Sequence, residues 1–339
     1  MTKQNIRKQI VISLGLAAAT CLTALAARAD NFTVVGPGGG GAMYHATISP
    51  HDTSEVLVAC DMTGAYLSHD GGHSWRMFNL RGTVRFFAFD PLQAHTIYAG
   101  TQLLWRSVDD GKSWKLVSPS PSKVRGVRMN SDHADETIVS DSNSMGEIVA
   151  LAIDPADSRT LVAGSVKDGK AAAFLSKDAG STWEKVSDLM GAPQRIWIDP
   201  HSNKSDRDIY IAGKKGVTVR NHGKWQDRPA PQDVVFTDIS AGFSGAQGIM
   251  LYASSDAGIF LSRDGGASWT SSPLPGSGAK VRAVATSLLL QADQLVQHAF
   301  QATEHGQLVD LLGDLLQGLQ LLQAHQHRAL LDQARGVEQ

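Results

Sequence analysis

Four aspartates recur in one short pattern, Ser-x-Asp-x-Gly-x-Ser/Thr-Trp. A carboxylate at this spacing can accept hydrogen bonds from the backbone N–H groups of its own turn, and the Gly permits positive φ. The Trp supplies a large ring for burial. We interpret the pattern as a structural hairpin turn, with catalysis or metal binding by these aspartates as the alternative. Its residues are Ser68, Asp70, Gly72, Trp75, Ser107, Asp109, Gly111, Trp114, Ser176, Asp178, Gly180, Trp183, Ser262, Asp264, Gly266 and Trp269.

A further aspartate, Asp61, follows an apolar strand and precedes Gly64 and Tyr66 without this pattern around it. A carboxylate in such a turn can act on a bound molecule, or it can hydrogen-bond the local backbone. Both interpretations stay open from the residues alone.

The elements that would position these residues repeat along the chain. A degenerate copy of the pattern contains a fifth tryptophan, Trp225. The five tryptophans are at positions 75, 114, 183, 225 and 269, and successive ones are 39, 69, 42 and 44 residues apart. Apart from the long interval, this is the length of a four-stranded propeller blade. The sequence predicts strands A to D in each blade, with the pattern between C and D.

Strand order then separates two faces of the propeller. The A–B and C–D turns share one face, and the B–C turns share the other with the connections between blades. We call the latter the B–C face. Three features fall there: the Gly-rich run at 36–41, Asp61, and a polar insertion at 119–146, predicted to be either a functional or a disordered loop.

The repeated pattern resembles the Asp-box, or BNR, repeat of sialidases, sortilin-like domains and several glycoside hydrolase families. The glycines at 38–41, Ile-Ser-Pro at 48–50 and Asp61-x-x-Gly-Ala-Tyr66 also resemble the N-terminal part of family 74 glycoside hydrolases. Those enzymes are xyloglucan-cleaving, inverting endoglucanases and related cellobiohydrolases with two seven-bladed propellers. The resemblance implies a polysaccharide partner, either xyloglucan or another β-glucan, and no cofactor or metal.

The resemblance also implies roles for individual residues. Asp61 matches the family's general base, and the acid of those enzymes comes from their second propeller, so no residue of this chain inherits it. Tyr66 and Trp105 are candidates for stacking on sugar rings, with packing inside the blades as the alternative. A sialidase is not indicated, because Arg81, Arg85 and Arg195 lack the context of that family's arginine triad.

The two ends of the chain differ from the repeat. Residues 1–29 read as a secretory signal peptide, with a basic start, an apolar run and Ala27-Arg28-Ala29 before the cleavage point. This predicts a secreted or periplasmic protein without stable membrane insertion afterwards. A membrane anchor is the first alternative, and a lipoprotein modified at Cys21 is the second.

Residues 287–339 are rich in Leu, Gln, His and Ala, with leucines at helical spacing from Leu308 to Leu322. They read as a helical appendage or as a segment translated out of frame. The predicted fold class is therefore all-β: a partial propeller at 30–286, with about five recognisable blades of an expected seven, followed by a short α-helical tail.

A net charge of −2 without a basic block argues against nucleic acid as a partner. The functional prediction is a secreted glycoside hydrolase-like propeller protein of the xyloglucanase or endoglucanase type, incomplete as this chain. The alternatives are a propeller that binds a glycan or a protein without catalysis, and an assembly factor, since some small Asp-box propellers resemble photosystem assembly proteins.

Overall fold

A computed structural model describes residues 36–37, 41–61, 64–129, 136–141, 145–244, 248–272, 281–285 and 298–301 of the 339. The predicted signal peptide, the glycines at 38–40 and almost all of the predicted tail lie outside these residues. Within them, no helix is long and apolar enough to cross a bilayer.

The described residues form five four-stranded antiparallel sheets, each ordered as its strands follow in the chain. The predicted all-β propeller with five blades is therefore confirmed. Blades 1 and 2 consist of β1 (Met43–Ile48), β2 (Val56–Cys60), β3 (Gly64–Ser68) and β4 (Arg76–Asn79), then β5 (Phe86–Phe89), β6 (Ile97–Gly100), β7 (Leu104–Ser107) and β8 (Lys115–Ser118).

The insertion between blades 2 and 3 is more ordered than a loop. A 3₁₀ turn (Pro121–Lys123) leads into the antiparallel pair β9 (Val124–Met129) and β10 (Glu136–Ser140). Its Glu136 lies 3.2 Å from Arg81, which precedes blade 2, and its Arg125 pairs with Asp141. Both strands contain β-branched residues, which favour extended backbone.

Blades 3 to 5 repeat the pattern of the first two, with longer strands. They consist of β11 (Glu147–Asp154), β12 (Asp157–Lys167), β13 (Lys170–Ser176), β14 (Glu184–Leu189), β15 (Pro193–Ile198), β16 (Ile209–Gly213), β17 (Gly216–Asn221), β18 (Lys224–Pro229), β19 (Asp238–Ser244), β20 (Gly248–Ser255), β21 (Gly258–Ser262) and β22 (Thr270–Ser272).

After blade 5, β23 (Val281–Ala285) pairs with β24 (His298–Gln301). Val281 and Val284 pack against Met250 and Tyr252 of blade 5, as a first strand of a sixth blade would. Residues 298–301 thus form a strand inside the segment that was predicted to be helical. The free hydrogen-bonding groups along the edge of β23 account for this pairing.

The four pattern turns share one hydrogen-bonding arrangement, and we call them the Ser-x-Asp turns. In each, the Ser hydroxyl donates to Asp Oδ1 over 2.7–2.8 Å and accepts from the Gly N–H over 2.7–2.9 Å. Asp Oδ1 also accepts the N–H of the second Ser or Thr, whose hydroxyl donates to Oδ2. The Gly has positive φ in all four turns.

The hydrophobic core lies in layers between neighbouring blades, and the Ser-x-Asp turns close those layers. A Cβ on Gly111 would lie 2.9 Å from Leu67 Cδ2 of blade 1, so a larger residue would push the turn away. Trp114 of blade 2 stacks on Phe78 of blade 1, with ring centroids 5.2 Å apart. Trp75, in the first blade, instead donates its Nε1–H to the Gly72 carbonyl over 2.9 Å.

The degenerate copy near Trp225 uses another turn chemistry. His222 and Gly223 both have positive φ, at 47° and 74°. Two such residues between strands form the tight hairpin that matches strand twist. The hairpin therefore closes without an aspartate, and Trp225 still packs against the layer between blades 3 and 4.

A buried ion pair joins blades 3 and 4 on the face opposite the B–C face. Arg207 donates from Nε and Nη2 to both carboxylate oxygens of Asp154, over 2.8 and 2.9 Å, and both residues are buried. Arg207 Nη1 also donates to the Ser202 carbonyl over 2.7 Å. The guanidinium is thus paired and hydrogen-bonded in the way that buried charges require.

Removal of the Asp154 carboxylate should leave Arg207 buried without a counter-charge. We expect Asp154→Ala to lower the free energy of unfolding by about 3–5 kcal/mol, measured by urea denaturation. The matched control is Asp157→Ala, which loses only bonds at the exposed turn, for about 1 kcal/mol. Equal losses in the two variants would show that the buried pair is not a clamp between the blades.

The Ser-x-Asp turns should make stability depend on pH. Hydrogen bonds from the Thr182 hydroxyl and N–H lower the pKa of Asp178 from its ordinary value to about 2. A lowered folded-state pKa gives stability that is complete above the ordinary value and is lost as pH falls toward 2. We expect Asp178→Asn to melt below the parent protein at pH 7, with a gap that shrinks from about pH 4 downward. A gap independent of pH, measured by thermal unfolding, would contradict this.

Candidate functional site

Asp61 lies in the B–C turn of blade 1 and is exposed. Its Oδ1 accepts the Ala42 N–H over 3.0 Å, and its own N–H donates to the Ala42 carbonyl over 3.2 Å. Ala42 directly precedes β1, so these two bonds fix the carboxylate beside the beginning of the first strand. None of the described residues donates a hydrogen bond to Oδ2.

The two aromatic candidates come from different blades, Tyr66 from β3 of blade 1 and Trp105 from β7 of blade 2. They lie on opposite sides of the blade 1 sheet. Trp105 packs against the layer between blades 1 and 2, and its Nε1 is buried without a hydrogen-bond partner among the described residues. Tyr66 is half-buried on the other side of β3 from Ala65 and Leu67, which face blade 2. The two rings therefore do not form one stacking platform, and Trp105 contributes to core packing.

A ring of charged side chains lies where the first strands of the blades begin. The first strands of neighbouring blades contact one another, which places them around the propeller axis. Arg85 Nε donates to Glu147 Oε1 over 2.9 Å, and Arg195 Nη2 lies 3.4 Å from Asp238 Oδ1. These residues come from blades 2, 3, 4 and 5, and with His45 of blade 1 they form what we call the channel ring.

His45 enters the ring through a distortion of β1. Its φ is 54°, and the pairing of β1 with β2 shifts register between Tyr44 and Thr47. A β-bulge of this kind redirects a side chain, and bulges are common beside active sites. Partial desolvation, followed by the positive charges of Arg195 and Arg85, lowers the pKa of the His45 imidazole. A neutral imidazole at pH 7 can both donate and accept hydrogen bonds.

Taken in blade order from blade 2 to blade 5, the channel ring alternates donors with acceptors. Two guanidinium groups, two carboxylates and an imidazole suit a ligand with many hydroxyl groups, because each hydroxyl both donates and accepts. Sequence reasoning missed this cluster and treated Arg85 and Arg195 as scattered. A usable signal existed, since both precede an Asp-Pro pair at the end of a first strand, at Asp90 and Asp199.

Two exposed histidines, His69 and His73, flank the first Ser-x-Asp turn. His73 Nδ1 lies 2.5 Å from the Asp70 carbonyl oxygen. Across the described parts of the chain, no group of three or more His, Cys, Asp or Glu side chains is arranged to hold a metal ion.

The low pKa of His45 can be tested through its cationic neighbour. We expect Arg195→Gln to raise the pKa of His45, because a positive charge is lost and the Asp238 carboxylate loses its partner. Titration of the imidazole by NMR, assigned with His45→Asn, measures the shift. Arg159→Gln, which removes an exposed arginine near the start of β12, is the control and should leave the His45 pKa unchanged. An unchanged His45 pKa in Arg195→Gln would show that the charge of Arg195 does not act on His45.

Comparison with known proteins agrees with the propeller fold described above. The chain matches no protein-family model. It is 28% identical over 283 residues to a xyloglucanase of Hypocrea jecorina (strain QM6a), and 27% identical over 263 residues to a xyloglucanase of a Paenibacillus species. These matches cover 66% and 71% of the chain, which spans 32% and 22% of the length of the two relatives.

The crystal structure of an ancestral GH74 enzyme superposes on the chain with a TM-score of 0.52 and 22% identity. It covers 71% of this chain and 32% of the other. At that identity the superposition shows the fold. The resemblance to family 74 glycoside hydrolases is confirmed, and the chain is a glycoside hydrolase-like β-propeller.

Proposed function

We propose that the B–C face binds a β-glucan of the xyloglucan type and that Asp61 supplies the base of an inverting hydrolysis site. The observation that carries this proposal is the position of Asp61. Its carboxylate is held at the B–C face by Ala42, with Oδ2 bonded to no described residue. The similarity of the chain to two xyloglucanases supplies the choice of polysaccharide.

The chemistry assigned to Asp61 is the activation of water. In an inverting mechanism, an ionised carboxylate removes a proton from water as the water attacks the anomeric carbon. A second, protonated carboxyl group about 6.5–9.5 Å away protonates the leaving oxygen. Asp61 takes the first role in this proposal, and the acid comes from outside the five blades.

The channel ring has a supporting role in this proposal. Its guanidinium and carboxylate groups offer paired donors and acceptors to sugar hydroxyls on the same face as Asp61. Polymer binding across such a face positions the reacting bond, which is where much of an enzyme's rate enhancement originates. With residues 1–29 as a signal peptide, the protein would meet this substrate outside the cytoplasm.

The test is hydrolysis of a dinitrophenyl β-glycoside of a xyloglucan oligosaccharide by the full chain beside two matched variants, because dinitrophenolate leaves without the proton that the acid would supply. Asp61→Asn should reduce the rate at least about 100-fold, within the range usual for a general base. Asp168→Asn changes an exposed aspartate in the B–C turn of blade 3, where φ is 49° and Asn is tolerated. This control should keep the parent rate.

Three outcomes can be distinguished. Hydrolysis that is lost only in Asp61→Asn supports the proposed enzyme. Binding of xyloglucan at equal affinity in all three proteins, without turnover of the aryl glycoside, identifies a glycan-binding module and ends the catalytic assignment. Neither binding nor turnover contradicts a glycan site on this face.

A further inference from the structure

A separate cavity of about 220 Å³ opens on the B–C face where blade 3 meets blade 4. Its walls are apolar and come from the end of β14, the connection that follows it, and the first two strands of blade 4. They include Leu189, Met190, Pro193 and Ile211. The cavity is smaller than the pockets that take drug-sized ligands, so it suits a single small ring.

The mouth of the cavity is preformed. Lys214 and Lys215 make the B–C turn of blade 4, and their carbonyls accept the N–H groups of Phe236 and Ala230 over 3.0 and 2.8 Å. A Cβ on the preceding Gly213 would lie 2.6 Å from the Ala192 carbonyl oxygen, so the turn fits closely against the wall. Little ordering is therefore required when a ligand enters, which favours affinity.

Three polar groups at this cavity have no counterpart among the described residues. Lys214 and Lys215 are exposed, and neither forms an ion pair within the part of the chain that the structure describes. Gln194 lines the cavity and donates from Nε2 to the Thr237 carbonyl over 3.1 Å. Its Oε1 is buried without a hydrogen-bond partner there. A buried amide oxygen normally accepts a hydrogen bond, and none of the described residues donates one here.

These groups specify a ligand. Two exposed ammonium groups at the mouth favour an anion, and the apolar walls favour the carbon face of a compact ring. Gln194 directly precedes Arg195, so the cavity adjoins the channel ring. We infer that this cavity binds an acidic sugar unit, a uronic acid, with its carboxylate at Lys214 and Lys215 and its ring against the apolar walls.

This inference rests on the proposed function for the choice of a sugar, and it extends the substrate class to β-glucans that carry acidic units. The probe is D-glucuronate, titrated into the full chain by calorimetry beside neutral D-glucose. Glucuronate should bind at least about tenfold more tightly than glucose, since the carboxylate alone distinguishes the two. Equal affinities, or no glucuronate binding, would overturn the inference.

Two variants assign the binding to this cavity. Lys214→Met with Lys215→Met should weaken glucuronate binding about tenfold or more, while Lys204→Met, an exposed lysine on the opposite face, should not. Matching thermal midpoints show that the double variant is folded. Should it fail to fold, added salt must weaken glucuronate binding to the parent protein without affecting glucose. Binding that ignores both the lysines and salt would contradict the assignment.

The result is independent of the hydrolysis test. Glucuronate binding that persists when xyloglucan is neither bound nor cleaved would end the proposed function and leave the cavity assignment in place. Hydrolysis of the xyloglucan-type substrate without selective glucuronate binding would overturn the cavity assignment and leave the proposed function in place.

Discussion

The contact on which the structure depends is the docking of the Ser-x-Asp turns of blades 2, 3 and 5, each onto the blade before it. The aspartate holds the turn in one shape by bonding to groups within five residues. The Gly can then approach the neighbouring blade with no Cβ in the way, as Gly111 does at Leu67 and Gly180 does 3.1 Å from Val117. Arg76 and Arg228 reinforce this contact by donating to turn carbonyls of the following blade. A sheet that is marginal alone becomes one layer of a continuous core.

The residues that stabilise the propeller and the residues that we propose bind a ligand lie on opposite faces. The Ser-x-Asp turns and the Asp154–Arg207 pair lie on one face. Their polar groups form hydrogen bonds within each turn and within the pair. The B–C face carries Asp61, the channel ring and the lysines of blade 4, several of whose polar groups have no partner within the described residues. Rigid strands hold these groups in place, while the turns that present them vary from blade to blade. Binding residues are commonly carried in this way by loops on a fixed scaffold.

Much of the fold could be predicted from the sequence because its signals are local. The Ser, the Asp, the Gly and the second Ser or Thr of each turn lie within seven consecutive residues, and the bonds of the aspartate close inside that span. The channel ring could not be found in this way, since Arg85 and Glu147 are 62 positions apart and become neighbours only when the blades pack. The hairpin of β9 and β10 was hidden in a polar composition. Trp105 was ambiguous because an indole suits a sugar ring and a core layer equally.

The central claim is that the B–C face, and not the face of the Ser-x-Asp turns, is the glycan-binding surface of this propeller. Hydrogen–deuterium exchange of the full chain with and without xyloglucan tests this most directly. Protection is expected at Asp61 and at the channel ring. Exchange at the Ser-x-Asp turns should not change. Protection confined to the Ser-x-Asp turns, or the same protection on both faces, would contradict the account.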